Sequence, residues 1–313
     1  MPDYTVFGNC LRTEIPFPEL RAIEDAAPRW RLRVSRRRRP MHGAELLGTD
    51  ELGDGKEVRL YKFADGFRLE YDDDTGAFDV SRDGRDLLWY SVSNAAEEMV
   101  RLHVLGRVLA TALHAAGVFS LHGSGVLLDG GAIGLLAPRF RGKSTLAMAL
   151  TQAGGRLLSD DTLAVDPDAS PPKVWPGVHS VRLWGDSAER IMGDQLEGNS
   201  PFAVKRTFAE LPDCQLARGP AHLSAIYLMT PTQGSRGTPA ARRTLLAPVS
   251  AAVSLVGHAK IGSLLGRSEA PVLFDRAVRV ARAARVYRLE LARDFDRISE
   301  VVAHLGAWHR TAA

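Results

Sequence analysis

The sequence predicts an α/β fold of the mixed-sheet (α+β) kind: a β-rich segment over residues 1–93, then an α/β domain over residues 94–313. Three observations predict it. Short apolar or alternating runs before residue 93 are separated by turn residues such as Asp65-Gly66, Thr75-Gly76 and Asp83-Gly84. Further on, the apolar run Ile133-Gly134-Leu135-Leu136 passes through Ala137-Pro138-Arg139-Phe140-Arg141-Gly142-Lys143-Ser144-Thr145 into the apolar stretch Leu146–Leu150, the order of a buried strand, a tight loop and a helix. The strand Val126-Leu127-Leu128 enters that run through Asp129-Gly130-Gly131, an antiparallel hairpin where a parallel crossover would be usual.

Composition bounds the rest. At 313 residues, 45% hydrophobic and 25% charged, the chain is long enough for a substantial core and about two domains. A net charge of +3 is small for this length, so nucleic acid is not an expected partner. Cys10 and Cys214 have no metal or redox spacing. No signal-peptide pattern opens the chain, and no apolar run reaches the length of a membrane span. The expectation is a cytoplasmic protein with no membrane contact.

Along the first 93 residues, Tyr4–Phe7 reads as a strand, and Glu14–Pro18 as an extended loop, since its prolines cannot donate to a ladder. Arg29–Val34 alternates strictly, with Trp30, Leu32 and Val34 on one face and arginines on the other. Together with Arg36–Arg39 it reads as a solvated edge strand protected by charge; an anion-facing surface is the alternative. Val58–Phe63 and Phe67–Tyr71 flank a hairpin turn, and Phe78–Val80 and Leu87–Tyr90 complete a meander. Asp72–Gly76 reads as a turn, since its spacing does not fit a calcium loop. Asn94-Ala95-Ala96-Glu97 reads as a capping box opening a helix to about Ala116, with His103 and His114 as surface or packing residues.

The loop carries the chemistry. Gly-Lys-Ser at a helix start matches the phosphate-binding pattern G-x-x-x-x-G-K-[ST]. Unpaired N–H groups and the positive end of the helix dipole face phosphate oxygens there. Gly142 permits close backbone approach, Lys143 bridges phosphates, and the Ser144 hydroxyl is the expected magnesium ligand. Ala137 stands where the pattern wants glycine, so it either keeps a negative φ or strains the loop by about 1 kcal/mol. Sixteen residues beyond Ser144, Arg156–Ser159 reads as a strand that ends at Asp160-Asp161, where a magnesium-organising acid belongs. Thr162–Val165 continues as a strand, Val181–Trp184 is another, and Asp186 caps a short helix. Lys205 and Arg206 lie in an aperiodic stretch read as a substrate-side loop. Strands follow at Leu223–Met229, Arg243–Leu246 and Val286–Leu291, with helices near 249–265, 271–284 and from Asp294.

These residues resemble a known family. His122-Gly123, the hairpin, the loop and Gly154-Gly155-Arg156-Leu157-Leu158-Ser159-Asp160-Asp161 are similar to the catalytic domain of the HPr serine kinase/phosphorylase family. The likeness extends to its stand-alone relatives, which include lasso peptide kinases. It is strongest from 119 to 166; Phe7–Leu20 and Val286–Arg297 also resemble the stand-alone group. The resemblance implies a fold related to phosphoenolpyruvate carboxykinase, with a mixed sheet, and phosphoryl transfer from ATP to a hydroxyl, usually serine. It further implies that Asp161 is the general base, that Asp160 holds Mg2+ with Ser144, and that His122 lies near the transferred phosphate. The acidic segment and arginine-bearing loop that govern phosphorolysis in the bacterial regulator are absent from this sequence, so the reverse reaction is not expected.

The expected activity is therefore an ATP- and Mg2+-dependent serine or peptide kinase, with a peptide or protein hydroxyl as acceptor, as in tailoring of a ribosomal peptide. Lys143, the metal and Arg141 or Lys205 would neutralise charge. The N-terminal β-rich segment could receive a peptide by strand addition, and a homo-oligomer is left open. A small-molecule kinase and a non-catalytic nucleotide-sensing module are the alternatives.

Overall fold

A computed structural model describes the chain except residues 25, 179–180, 185–204, 209–210, 233–236, 293 and 311–313; the side chains of 182–184 and 205–208 also lie outside the description. The chain divides into two compact units, residues 1–120 with 259–276, and residues 121–258 with 277–313. The helical span after residue 93 groups with the first sheet.

The first unit is a nine-stranded mixed sheet. Its strands are β1 (Asp3–Val6), β2 (Asn9–Thr13), β3 (Arg21–Ile23), β4 (Pro28–Ser35), β5 (Glu45–Gly53), β6 (Lys56–Phe63), β7 (Gly66–Tyr71), β8 (Ala77–Ser81) and β9 (Asp86–Tyr90), in the order β3-β1-β2-β4-β9-β8-β7-β6-β5. The expected meander is present as β6 to β9. The arginine-rich strand is not at an edge. β4 lies between β2 and β9, parallel to both. Its alternation fixed the faces, burying Trp30 and Leu32 and exposing Arg31 and Arg33, but alternation carries no information on lateral position. Strands β2, β3 and β5 are short or polar runs that carry no strong signal in the sequence.

The expected capping box does not form. The helix starts at Glu97 with Ala96 as N-cap and no side-chain cap, and Glu97 and Glu98 face the dipole instead. It is also not one helix: α1 (Glu97–His103) passes through a π-helical turn, Val104–Val108, into α2 (Leu109–Ala115). His103 and His114 are both buried packing residues; His103 Nε2 lies 2.6 Å from Asp73, and His114 bonds Glu269 and Arg276.

The second unit contains a second mixed sheet. After β10 (Phe119–Leu121) come β11 (Gly123–Leu128), β12 (Gly131–Leu136), α3 (Lys143–Gln152), β13 (Arg156–Ser159), β14 (Leu163–Asp166) and β15 (Lys173–Trp175). A two-stranded sheet of β16 (Val181–Trp184) and β17 (Lys205–Phe208) follows, then β18 (Ala221–Thr232), β19 (Ala241–Leu245), α4 (Pro248–Gly257), α5 (Ala270–Ala283, assigned to the first unit up to Arg276), β20 (Arg285–Ala292) and α6 (Ile298–His309). Helix α4 ends at Gly257, short of the expected 265, and turns punctuated by Gly262 and Gly266 follow. The Asp186 cap lies outside the described residues.

Strand β11 pairs antiparallel with β12 on one side and with β13 on the other. Strands β12 and β13 therefore run the same way and end at the same edge. Strand β12 pairs parallel with β18, and β18 with β20. Ile133, Leu135, Leu146, Leu150, Tyr227, Leu289 and Leu305 form the core between this sheet and helices α3 and α6.

A buried ion pair lies in the first unit. Arg68 is 2% exposed; it bonds Asp79 through two nitrogens, donates to Arg39 O at 2.9 Å and lies over the Tyr90 ring. Asp79→Ala would strand that guanidinium without its counter-charge. The expected outcome is a loss of about 3 kcal/mol in unfolding free energy, measured by urea titration.

Candidate phosphate-loop site

Three segments meet at one sheet edge for a topological reason. The shared direction of β12 and β13 brings both their C-terminal ends there, and the start of β11 lies between them, with Gly123 opposite Leu136 and Gly125 opposite Ser159. Residues 122–124, 137–145 and 159–161 thus converge. Close packing demands the small residues of β11: a Cβ on Gly123 would lie 2.3 Å from the Leu136 side chain.

The loop after β12 leads straight into α3, whose N-cap is Gly142 at φ 81. Ala137 is 1% exposed and keeps a negative φ, so the missing first glycine adds no backbone strain. The strain sits at Phe140, left-handed at φ 65 and 65% exposed, a conformation that costs on the order of 1 kcal/mol for a residue with a Cβ. Arg139 and Arg141 are exposed on the same loop. Ser144 and Thr145 open the helix half-buried, leaving first-turn N–H groups at the loop.

Lys143 is buried, and its ammonium group turns back onto the loop. Nζ donates to Ala137 O at 2.9 Å and to Pro138 O at 3.1 Å, and lies 3.3 Å from His122 Nε2. An ammonium group only donates, so Nε2 accepts and the ring proton sits on Nδ1. Nδ1 is 3.2 Å from both the carbonyl oxygen and Oδ1 of Asp161. His122 therefore links the loop lysine to the second aspartate. Asp161 is itself left-handed at φ 70, and its side chain is about half exposed, within reach of an incoming molecule.

Asp160 faces the other way, into the protein. It is buried, and its Oδ1 accepts from Ser144 Oγ at 2.9 Å and from Ser124 Oγ at 2.6 Å. Adjacent aspartates thus do different work: one is locked to the helix start, the other presented to solvent. Among the described residues, no group of three or more His, Cys, Asp or Glu is gathered as a self-sufficient metal site. The hard oxygens of Asp160 and Ser144 fit a magnesium ion that takes its remaining ligands from phosphates and water.

Ser124 and His258 were not singled out from the sequence. The His258 carbonyl accepts from His122 N at 2.7 Å. Burial, then the charge of Lys143, then His122, hold its imidazole below the ordinary histidine value. Nothing local to the sequence marks either residue; both are brought in by pairing and packing. Lys205 and Arg206 pair by backbone with Trp184 and Leu183, and their side chains lie outside the described residues.

No protein-family model and no curated protein matches this sequence. Among solved structures, the Hpr(Ser) kinase/phosphatase from Coxiella burnetii is similar over 60% of this chain and 96% of its own, at 10% identity and a TM-score of 0.31.

The lowered pKa of His258 has a stability consequence. Its unfolded value lies near 6.5, so the unfolded chain takes up the proton first as pH falls. Stability present above pH 6.5 is then lost toward the folded pKa. Urea midpoints measured above and below that pH should drop on the acid side, and His258→Gln should reduce the drop, leaving the share of the likewise lowered His103 and His309.

Proposed function

We propose that the chain is an ATP- and magnesium-dependent kinase that transfers a phosphoryl group to a serine or terminal hydroxyl of a peptide or protein. The observation that supports it best is the convergence of Lys143, Ser144, Asp160, His122 and Asp161 around one loop and helix N-terminus. The segment 137–145 holds the phosphates, Lys143 spans their charge, and Asp160 with Ser144 holds the metal. Bound magnesium supplies charge neutralisation on the phosphates.

The acceptor hydroxyl gives its proton to an Asp161 carboxylate oxygen as the new O–P bond forms and the bond from the γ-phosphorus to the β,γ-bridging oxygen breaks, so that ADP leaves with that electron pair. His122, donating through Nδ1, keeps that carboxylate aimed at the loop. Catalysis of this kind rests on placement and charge more than on covalent chemistry by the protein. The resemblance over residues 119–166 favours a peptide acceptor, in the manner of a peptide-tailoring kinase. Incubation with labelled ATP and candidate acceptors is expected to label peptide rather than metabolite.

Two variants test the roles. Asp161→Asn is expected to bind nucleotide normally by calorimetry while transfer falls at least about a hundredfold; normal transfer would remove Asp161 as the base. Lys143→Ala is expected to weaken nucleotide binding and turnover together, and unchanged binding would overturn the loop's role.

A further inference from the structure

The opposite end of β12 carries a second cationic site. The phosphate-loop segment follows Leu136, whereas Gly130, just before the strand, borders a cavity of about 290 Å³. Six extended residues separate the two by about 20 Å. The cavity is lined by Arg243, Arg285 and Arg310 with His222 and His309, and no carboxylate lines it among the described residues.

The cavity is held by its surroundings. The Arg243 guanidinium carbon lies 4.8 Å from the Tyr287 ring centroid and 4.6 Å from that of Trp308, and NH1 donates to the Tyr227 hydroxyl at 3.2 Å. The same hydroxyl lies 2.7 Å from His309 Nε2. The Gly130-Gly131 turn is shaped to the site. A Cβ on Gly130 would lie 2.6 Å from His309 O, and one on Gly131 2.3 Å from the His222 ring. Arg285 and Arg310 are exposed at the mouth, and neither has an ion pair with a described residue.

Three guanidinium groups thus share one cavity with a single protein acceptor for Arg243, the Tyr227 hydroxyl. Like charges gathered without counter-charge repel, and the planar forks match an oxyanion in two-point geometry. We infer that this cavity binds a small, multiply charged oxyanion, phosphate- or carboxylate-bearing, at a site separate from the phosphate loop. Burial and the neighbouring Arg243 and Arg285 charges hold His309 down to about 4, which keeps its ring neutral and leaves the arginines as the charge a ligand meets.

Calorimetric titration of the full chain with pyrophosphate and, separately, citrate tests this. The chains compared are Lys143→Ala, which removes the loop's contribution, and Lys143→Ala carrying Arg285→Gln and Arg310→Gln. At least one anion should bind the first, and the arginine changes should weaken it by at least about tenfold. The ring resonances of His222 and His309 should move with binding. The preferred anion distinguishes a phosphate ligand from a carboxylate one. If the double arginine change lowers the melting temperature, Arg310→Gln alone, beyond the end of α6, serves the same comparison. Failure of both anions to bind, or binding untouched by the arginine changes, overturns the inference.

Discussion

A single carboxylate oxygen ties the second unit's key elements together. Asp160 Oδ1 accepts hydroxyls from Ser124 on β11 and Ser144 on α3, while Asp160 itself follows β13. Charge-assisted bonds of this kind are among the stronger ones, and a buried carboxylate without them is costly. The hairpin, the helix start and the returning strand are therefore held in one register. Asp161 inherits its position from that lock, because it is the next residue and must leave the buried strand. Its left-handed backbone turns its side chain from the interior toward His122.

The sheet supplies the larger frame. An antiparallel hairpin inserted beside parallel strands places β11 between β12 and β13. A doubly wound parallel sheet would have brought the loop and the following acid together by neighbouring parallel strands. Here the antiparallel strand does it, contributing Ser124 from its own length and His122 from the residue just before it. The edge thus gains two polar groups that a parallel arrangement would draw from elsewhere.

Much of this was legible in the sequence because its signals are local. Apolar run, glycine, lysine, serine and apolar helix lie within one short span, and the Asp-Asp pair lies one helix and one strand further on. The meander was legible from its turn residues. What could not be read is lateral. The alternation of Arg29–Val34 identified its faces but not that β4 lies inside the sheet. The Asn94 signal promised a cap, yet the chain enters α1 two residues later through Ala96. His258 and Ser124 belong to the site only through partners far along the chain, and the arginine cavity assembles from segments around 130, 222, 243, 285 and 309.

On the proposed function, the posture of Lys143 sets how a phosphate enters the loop. Its ammonium protons are already engaged by Ala137 O, Pro138 O and the His122 ring. Arrival of a phosphate therefore exchanges one set of bonds for another and adds few. The net gain comes from meeting charge with charge, a long-range term that dissolved salt weakens. On the proposed function, retention at this loop should thus follow ionic strength closely, and the lysine has carbonyls to return to once the nucleotide leaves.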